Sequence, residues 1–167
     1  GGTLTAVSED RTTLRYRRAV LGLNGSITDD LVVRTGLELA RTAKTELVAI
    51  HVVEVDWRHD LDGEMPGSRE TAATVLDIAE AQAEDADIEL RTQLLQARDV
   101  GAALVDEAVE LDADVIVLGL PYRKRRGGDF AIGTTIPYVF RNAPCTVLVI
   151  RQPVPGAGPQ IPDPRKD

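Results

Sequence analysis

Five short apolar runs of strand length alternate along the chain with four stretches whose apolar residues recur at helical spacing. The first run, Arg18 to Leu23, stops at Asn24-Gly25-Ser26, the pattern of a buried strand meeting a turn. Val33, Gly36, Ala40 and Ala43 then share one helical face, with Thr28, Asp29 and Asp30 ahead as cap and dipole partners. Leu47 to Val53 is the second run. Glu54 to Gly67 carries Gly and Pro breaks without a period and reads as a loop. Beyond Ser68, the residues Ala72, Val75, Ala79 and Ala83 fall on one face of a second helix, with Glu70 in its first turn. Ile88 to Leu94 alternates as a half-exposed strand does. Val100, Leu104, Ala108 and Leu111 predict a third helix, and Asp114 to Gly119 a fully buried strand. After a basic, Gly-rich loop, Ile136, Val139, Phe140 and Ala143 give a fourth helical face, and Thr146 to Ile150 the last strand.

Alternation of helices with continuously apolar strands predicts a doubly wound α/β domain, a parallel sheet covered on both faces. Right-handed crossovers leave few strand orders, of which 3-2-1-4-5 is the common one. In that order the sheet reverses direction between its first and fourth strands, and ligands sit there, outside the carboxyl ends. The two loops at that point are Asn24-Gly25-Ser26 and the long loop from Gly119. We place a polar lead-in over 1–16, the domain over 17–152, and a disordered tail over 153–167; from Gln152 onward there are five prolines and two glycines.

Composition narrows the function more than the fold. Apolar residues make up 43% of the chain but aromatics only 4%, so the core must be aliphatic. Lys and Arg total 19 against 27 Asp and Glu, a net charge of -8. Such a surface argues against nucleic acid as a partner, and any anion site must be a local exception. No apolar run approaches the roughly 20 residues of a membrane span, so direct membrane insertion is not expected. A single cysteine, Cys145, argues against a disulfide framework and for a reducing cytoplasm. The opening Gly1-Gly2, without Met, suits either a tag remnant or a domain cut from something longer.

The loop from Gly119 to Thr135 carries the most chemistry. It ends in Gly133-Thr134-Thr135 where a helix should begin, and N–H groups at a helix start, with glycine and hydroxyls, form an anion site. Arg123, Lys124, Arg125 and Arg126 would set positive charge over phosphates. The same features also suit a plain helix cap at Thr134 and a solvated basic loop. His51 sits inside an apolar strand and reads as a core or strand-end histidine bonded to backbone. His59 has no partner at metal-ligand spacing, so no His/Cys metal site is expected. Cys145 reads as an inert core thiol. No nucleophile elbow or Ser/His/Asp arrangement appears, so no catalytic residue is assigned. A phosphoacceptor role for Asp29 and Asp30 fails, because a receiver needs acidic groups ending strand one and an Asp ending strand three. Here Asn24 and Gln96-Ala97 stand at those places. Asp29 and Asp30 read instead as complements of the helix dipole.

Three segments resemble the universal stress protein family. Arg18 to Ser26 is similar to its first strand and Asp-Gly-Ser turn, and Leu47 to Val53 to its second strand with a His-Val pair. Gly119 to Arg151, ending Arg141-Asn-Ala-Pro-Cys-Thr-Val-Leu-Val-Ile-Arg151, matches its last helix and strand, and is the most specific of the three. Nucleotide-binding members carry G-x-x-G, a nine-residue spacer, then Gly and Ser or Thr. Gly119 and Gly133-Thr134 match the ends, whereas Tyr122 replaces the second glycine and the spacer is one residue longer. The Gly127-Gly128 pair would restore room, and Tyr122 suggests a reshaped pocket. Asn24 stands where ATP-binding members usually have an aspartate.

The resemblance implies an adenine nucleotide α-hydrolase-like fold and a regulatory module rather than an enzyme. An adenine nucleotide, ATP among the candidates and with magnesium only if ATP is bound, would sit at the reversal point. Val52 would offer backbone groups to the base, Asn24 would hold the base or ribose, Gly119, Gly133, Thr134 and Thr135 the phosphates, and Gly25 would belong to the same nucleotide-binding set. The family also implies a homodimer through Thr146 to Ile150, an edge strand with no charge or proline inside it. The alternative is a nucleotide-free dimerising accessory domain, such as the cytoplasmic part of a membrane transporter.

Overall fold

The computed structural model describes residues 15–58, 68–122 and 132–154. Expectations for the start of the lead-in, for His59, for Arg123 to Arg126 with Gly127-Gly128, and for the tail from 155 fall outside these residues.

Nine elements alternate as expected: β1 (Arg18–Leu23), α1 (Asp29–Ala43), β2 (Glu46–Glu54), α2 (Ser68–Asp85), β3 (Leu90–Ala97), α3 (Val100–Glu110), β4 (Val115–Leu120), α4 (Thr135–Asn142) and β5 (Thr146–Arg151). The five strands form one parallel sheet in the order β3-β2-β1-β4-β5. Strand β1 lies between β2 and β4, pairing Leu23 with His51 on one side and Gly22 with Leu118 on the other.

Period-two alternation in the central strands divides the core into two layers. Ala19, Leu21, Leu47, Ala49, Val115 and Val117 face Val32 and Val33 of α1 and Val75 and Ala79 of α2. Val20, Val48, Ile50, Ile116 and Leu118 face Leu104, Val105 and Ala108 of α3 and Ile136 and Val139 of α4. Strands covered on both faces need apolar residues at every position, hence the continuous runs in the sequence. The amino end is tied by Asp114, whose carboxylate accepts the backbone N–H groups of Arg17 and Arg18 at 2.7 and 2.9 Å. Among the described residues no helix is long and apolar enough to cross a membrane.

Two expectations need correction. The third strand runs Leu90–Ala97 rather than Ile88–Leu94. Ile88 belongs to the turn closing α2, and Gln96 and Ala97 stay in the strand because β2 continues opposite them, Ala97 pairing with Glu54. Phe140 does not join the buried face of α4. Ile136 and Val139 occupy that face, and Phe140, one residue further round, is 58% exposed.

Candidate functional site

The strand order puts the carboxyl ends of β1 and β4 side by side at the reversal point. The turn after β1 is assembled on one carboxylate. Asp29, in the first turn of α1, accepts the N–H of Asn24 through Oδ1 at 3.0 Å and that of Gly25 through Oδ2 at 2.8 Å. The Asn24 amide oxygen accepts the Ser26 N–H at 3.0 Å, and Gly25 takes φ +80°, a left-handed conformation that favours glycine. Beneath the turn, buried His51 holds Leu23: its Nδ1 donates to the Leu23 carbonyl at 2.9 Å. This is the backbone-bonded strand-end histidine expected from the sequence. Asp29 therefore does more than complement a helix dipole. Asp30 takes Gln82 of α2 at 2.7 Å and Arg34 at 3.1 Å, and so ties α1 to α2.

The other wall is the amino end of α4. Gly133 precedes it with φ +79°, and a Cβ placed on Gly133 would meet nothing within 4 Å. Thr134 occupies the cap position, yet its side chain makes no capping hydrogen bond. Pro137, third in the helix, has no N–H to offer. The donors at this end are thus the backbone groups of Gly133, Thr134, Thr135 and Ile136, left without a side-chain cap from Thr134.

Between these walls lies a cleft of about 180 Å³. It brings together Asn24, Val52, Gly119, Gly133, Thr134 and Thr135. Gly25 is not among them; it faces a groove on the opposite side of the sheet, between α1 and α2. The rest of the cleft is largely apolar, with Val100 and Leu104 from α3, Leu118, Ile132 and Ile136. Sequence reasoning missed these, because Leu104 and Ile136 also lie on the buried faces of their helices. Gly22 lies on the floor, where a Cβ would stand 2.6 Å from Leu118 Cδ2 and would make that side chain shift. Tyr122 turns toward the end of β5: its N–H donates to Gln152 Oε1 at 3.2 Å, and Arg151 lies 5.7 Å from its ring centroid.

The described lining contains no Asp, Glu, His or Cys, and no cluster that could hold a metal occurs among the described residues. The chemistry the cleft offers is neutral donors, hydroxyls, a helix end and apolar surface. That suits holding an anion and a flat apolar ring, and gives no described group poised for proton transfer. Cys145 is half-buried, and burial pushes its thiol above the ordinary cysteine range, away from the reactive thiolate.

Burial also raises the pKa of Asp29, against the pull of the Asn24 and Gly25 N–H groups and of nearby His51. The native state then holds this proton more tightly than the unfolded chain. The stabilising contribution of this group accordingly grows as pH falls from neutral through its folded midpoint, and is lost as pH rises. Carbon-detected titration of the side-chain carboxyls is expected to place Asp29 above a free aspartate; a midpoint at or below that value would contradict the burial argument.

The family model for the universal stress protein family matches residues 15–151. No curated protein matches the chain. Among solved structures, a universal stress family protein from Burkholderia pseudomallei is 29% identical, with a TM-score of 0.61 over 81% of this chain and 96% of that one. The Archaeoglobus fulgidus universal stress protein in complex with dAMP is 22% identical, with a TM-score of 0.63 over 82% and 99%. An Arabidopsis thaliana universal stress family protein with AMP bound is 14% identical, with a TM-score of 0.59 over 84% and 94%.

Proposed function

Because the chain belongs to the universal stress protein family, we propose that it is a cytoplasmic regulatory module binding an adenine nucleotide in the cleft between β1 and β4, without turning it over. One observation carries the reading: residues far apart in sequence, from Asn24 and Val52 to Gly119 and Gly133 to Thr135, converge on a single cleft. The apolar wall of Val100, Leu104 and Val52 takes the base, Asn24 the base or ribose, and the start of α4 the phosphate. Family neighbours solved with dAMP and AMP support this ligand class.

Calorimetry with AMP, ADP and ATP is the direct test. We expect AMP to bind with micromolar to submillimolar affinity, and replacing Arg123 to Arg126 by Gln to weaken ADP and ATP more than AMP, in a salt-dependent way. If all three give no heat and no thermal stabilisation at millimolar concentration, the nucleotide reading is wrong. The reading that then takes its place is a nucleotide-free dimerising accessory domain, such as the cytoplasmic part of a membrane transporter.

The dimer rests on its own observation. Among the described residues β5 pairs with β4 alone, its Val147 to Ile150 side chains stay half-buried, and exposed Phe140 sits on the helix leading into it. An unguarded edge and an adjacent aromatic suit pairing with a second copy. Sedimentation is expected to give a dimer mass at micromolar concentration, and Phe140→Glu to weaken it by about tenfold or more, the cost of setting a charge in an apolar contact. A monomer at that concentration would refute the assembly.

A further inference from the structure

We propose that the Ser26 and Thr28 hydroxyls form a latch that holds the β1–α1 turn against the end of β4, and so sets the width of the cleft. The part of this concerning ligand affinity rests on the nucleotide reading above. Thr28 stands immediately before α1, where a side chain usually caps the helix. Its backbone is already helical, with φ -79° and ψ -11°, its carbonyl accepts the Val32 N–H at 3.1 Å, and its hydroxyl caps nothing. That hydroxyl instead pairs with Ser26 Oγ at 2.7 Å, and Ser26 Oγ also accepts the Thr28 N–H at 3.3 Å. Thr28 is only 1% exposed, one of three buried polar residues among those described.

What buries it is β4. A Cβ on Gly119 would lie 2.5 Å from Thr28 Oγ1, 2.7 Å from Thr28 Cβ and 3.0 Å from Val32 Cγ2. The backbone of β4 therefore rests directly on the Thr28 side chain, and glycine is the residue that allows it. Gly119 and Asn24 both line the cleft, one on each side of this contact. Ser26 is in turn bonded to Asn24 through its N–H, so the chain of contacts runs Gly119, Thr28, Ser26, Asn24. Ser26 Oγ, by accepting the Thr28 N–H, does the local capping, which leaves the Thr28 hydroxyl to bond Ser26 and the Thr28 side chain to pack under β4. Thr28 touches no part of the cleft itself; it is a positioning residue, acting through Asn24 and Gly119.

The test compares the full chain with Thr28→Val, Thr28→Ser and Ser26→Ala, by AMP calorimetry and by backbone amide exchange. Valine keeps nearly the volume and removes the hydroxyl; serine keeps the hydroxyl. We expect Thr28→Val and Ser26→Ala each to weaken AMP about tenfold, the scale of one lost hydrogen bond, and the double variant to lose no more than either alone. Thr28→Ser should bind within about twofold of the wild type, a rescue that bulk packing would not give. Exchange over 24–27 and 119–122 should quicken in Thr28→Val and Ser26→Ala and remain slow in Thr28→Ser. Unchanged affinity in Thr28→Val, or unchanged exchange in both segments, overturns the latch. Should Thr28→Val not fold, Ser26→Ala carries the same test at a half-buried position. If the wild type binds no AMP, the nucleotide reading falls, and exchange alone decides whether the two loops are latched.

Discussion

Replacing Gly133 by valine is expected to lower adenine nucleotide affinity by about 100-fold or more while leaving the sheet and its helices intact. Two effects add. Gly133 has φ +79°, where a β-branched residue costs roughly 1–3 kcal/mol and pulls the turn out of shape. The new side chain also projects into open space on the cleft wall, the volume assigned to the phosphate. Losing two charge-assisted N–H contacts, at about 1.5–3 kcal/mol each, accounts for that fall. Gly133→Asn separates the causes, because asparagine tolerates left-handed backbone better. It should leave the melting temperature near the wild type and still impair binding. Calorimetry with AMP beside thermal unfolding reads both; wild-type affinity in Gly133→Val would remove the phosphate from the start of α4.

The parts of this molecule legible in the sequence are those governed by periodicity. Strands covered on both faces leave unbroken runs such as Val115 to Leu118, and helices against a sheet leave one apolar stripe, as Ala72, Val75, Ala79 and Ala83 do on α2. The reversal point followed from that alternation, and with it the loops after β1 and β4. Legibility failed where direction or competition mattered. Phe140 lies one residue from Val139, and a short helix of eight residues gives too few turns to separate flank from face. β3 outlasts its own alternation because its partner β2 decides its length.

The polar corners of the candidate cleft are legible in the sequence, and the rest of its lining is not. Glycines and hydroxyls at Gly119 and Gly133 to Thr135 stand out against an aliphatic chain. Val100 and Leu104 do not, since residues that line a cleft and residues that fill a core obey the same pattern. From its position alone Asp29 reads as a dipole complement, as first-turn acids usually do. Its grip on the Asn24 and Gly25 N–H groups needs a chain reversal that spacing alone cannot show. Gly25 is adjacent to Asn24 in sequence, but the turn sends the two to opposite faces of the sheet, which adjacency does not show.

The largest stability effect is expected at the contact between β1 and α1, and it carries a reversal of sign. Leu21 is fully buried, and Gly36 of α1 packs against it so closely that a Cβ would stand 2.7 and 2.9 Å from the two Leu21 methyls. Leu21→Ala should cost about 3–4 kcal/mol, the loss of buried methyls plus the cavity left behind, lowering the melting temperature by roughly 10 °C. Gly36→Ala sets two terms against each other. Alanine gains about 1 kcal/mol in helix propensity, whereas forcing a methyl into a full core costs roughly 1–3 kcal/mol. In the wild type the second wins and the variant is destabilised. In the Leu21→Ala background the methyl enters the cavity, the cost disappears and the propensity gain remains, so the same substitution should stabilise. Thermal or denaturant unfolding of the four proteins in this cycle measures the coupling, expected at about 1–3 kcal/mol. Additive effects would mean that α1 is not seated on Leu21 as described. The close approach matters to the site, because the start of α1 supplies both Thr28 and Asp29, and only a helix drawn tight against β1 brings them under the Asn24 turn.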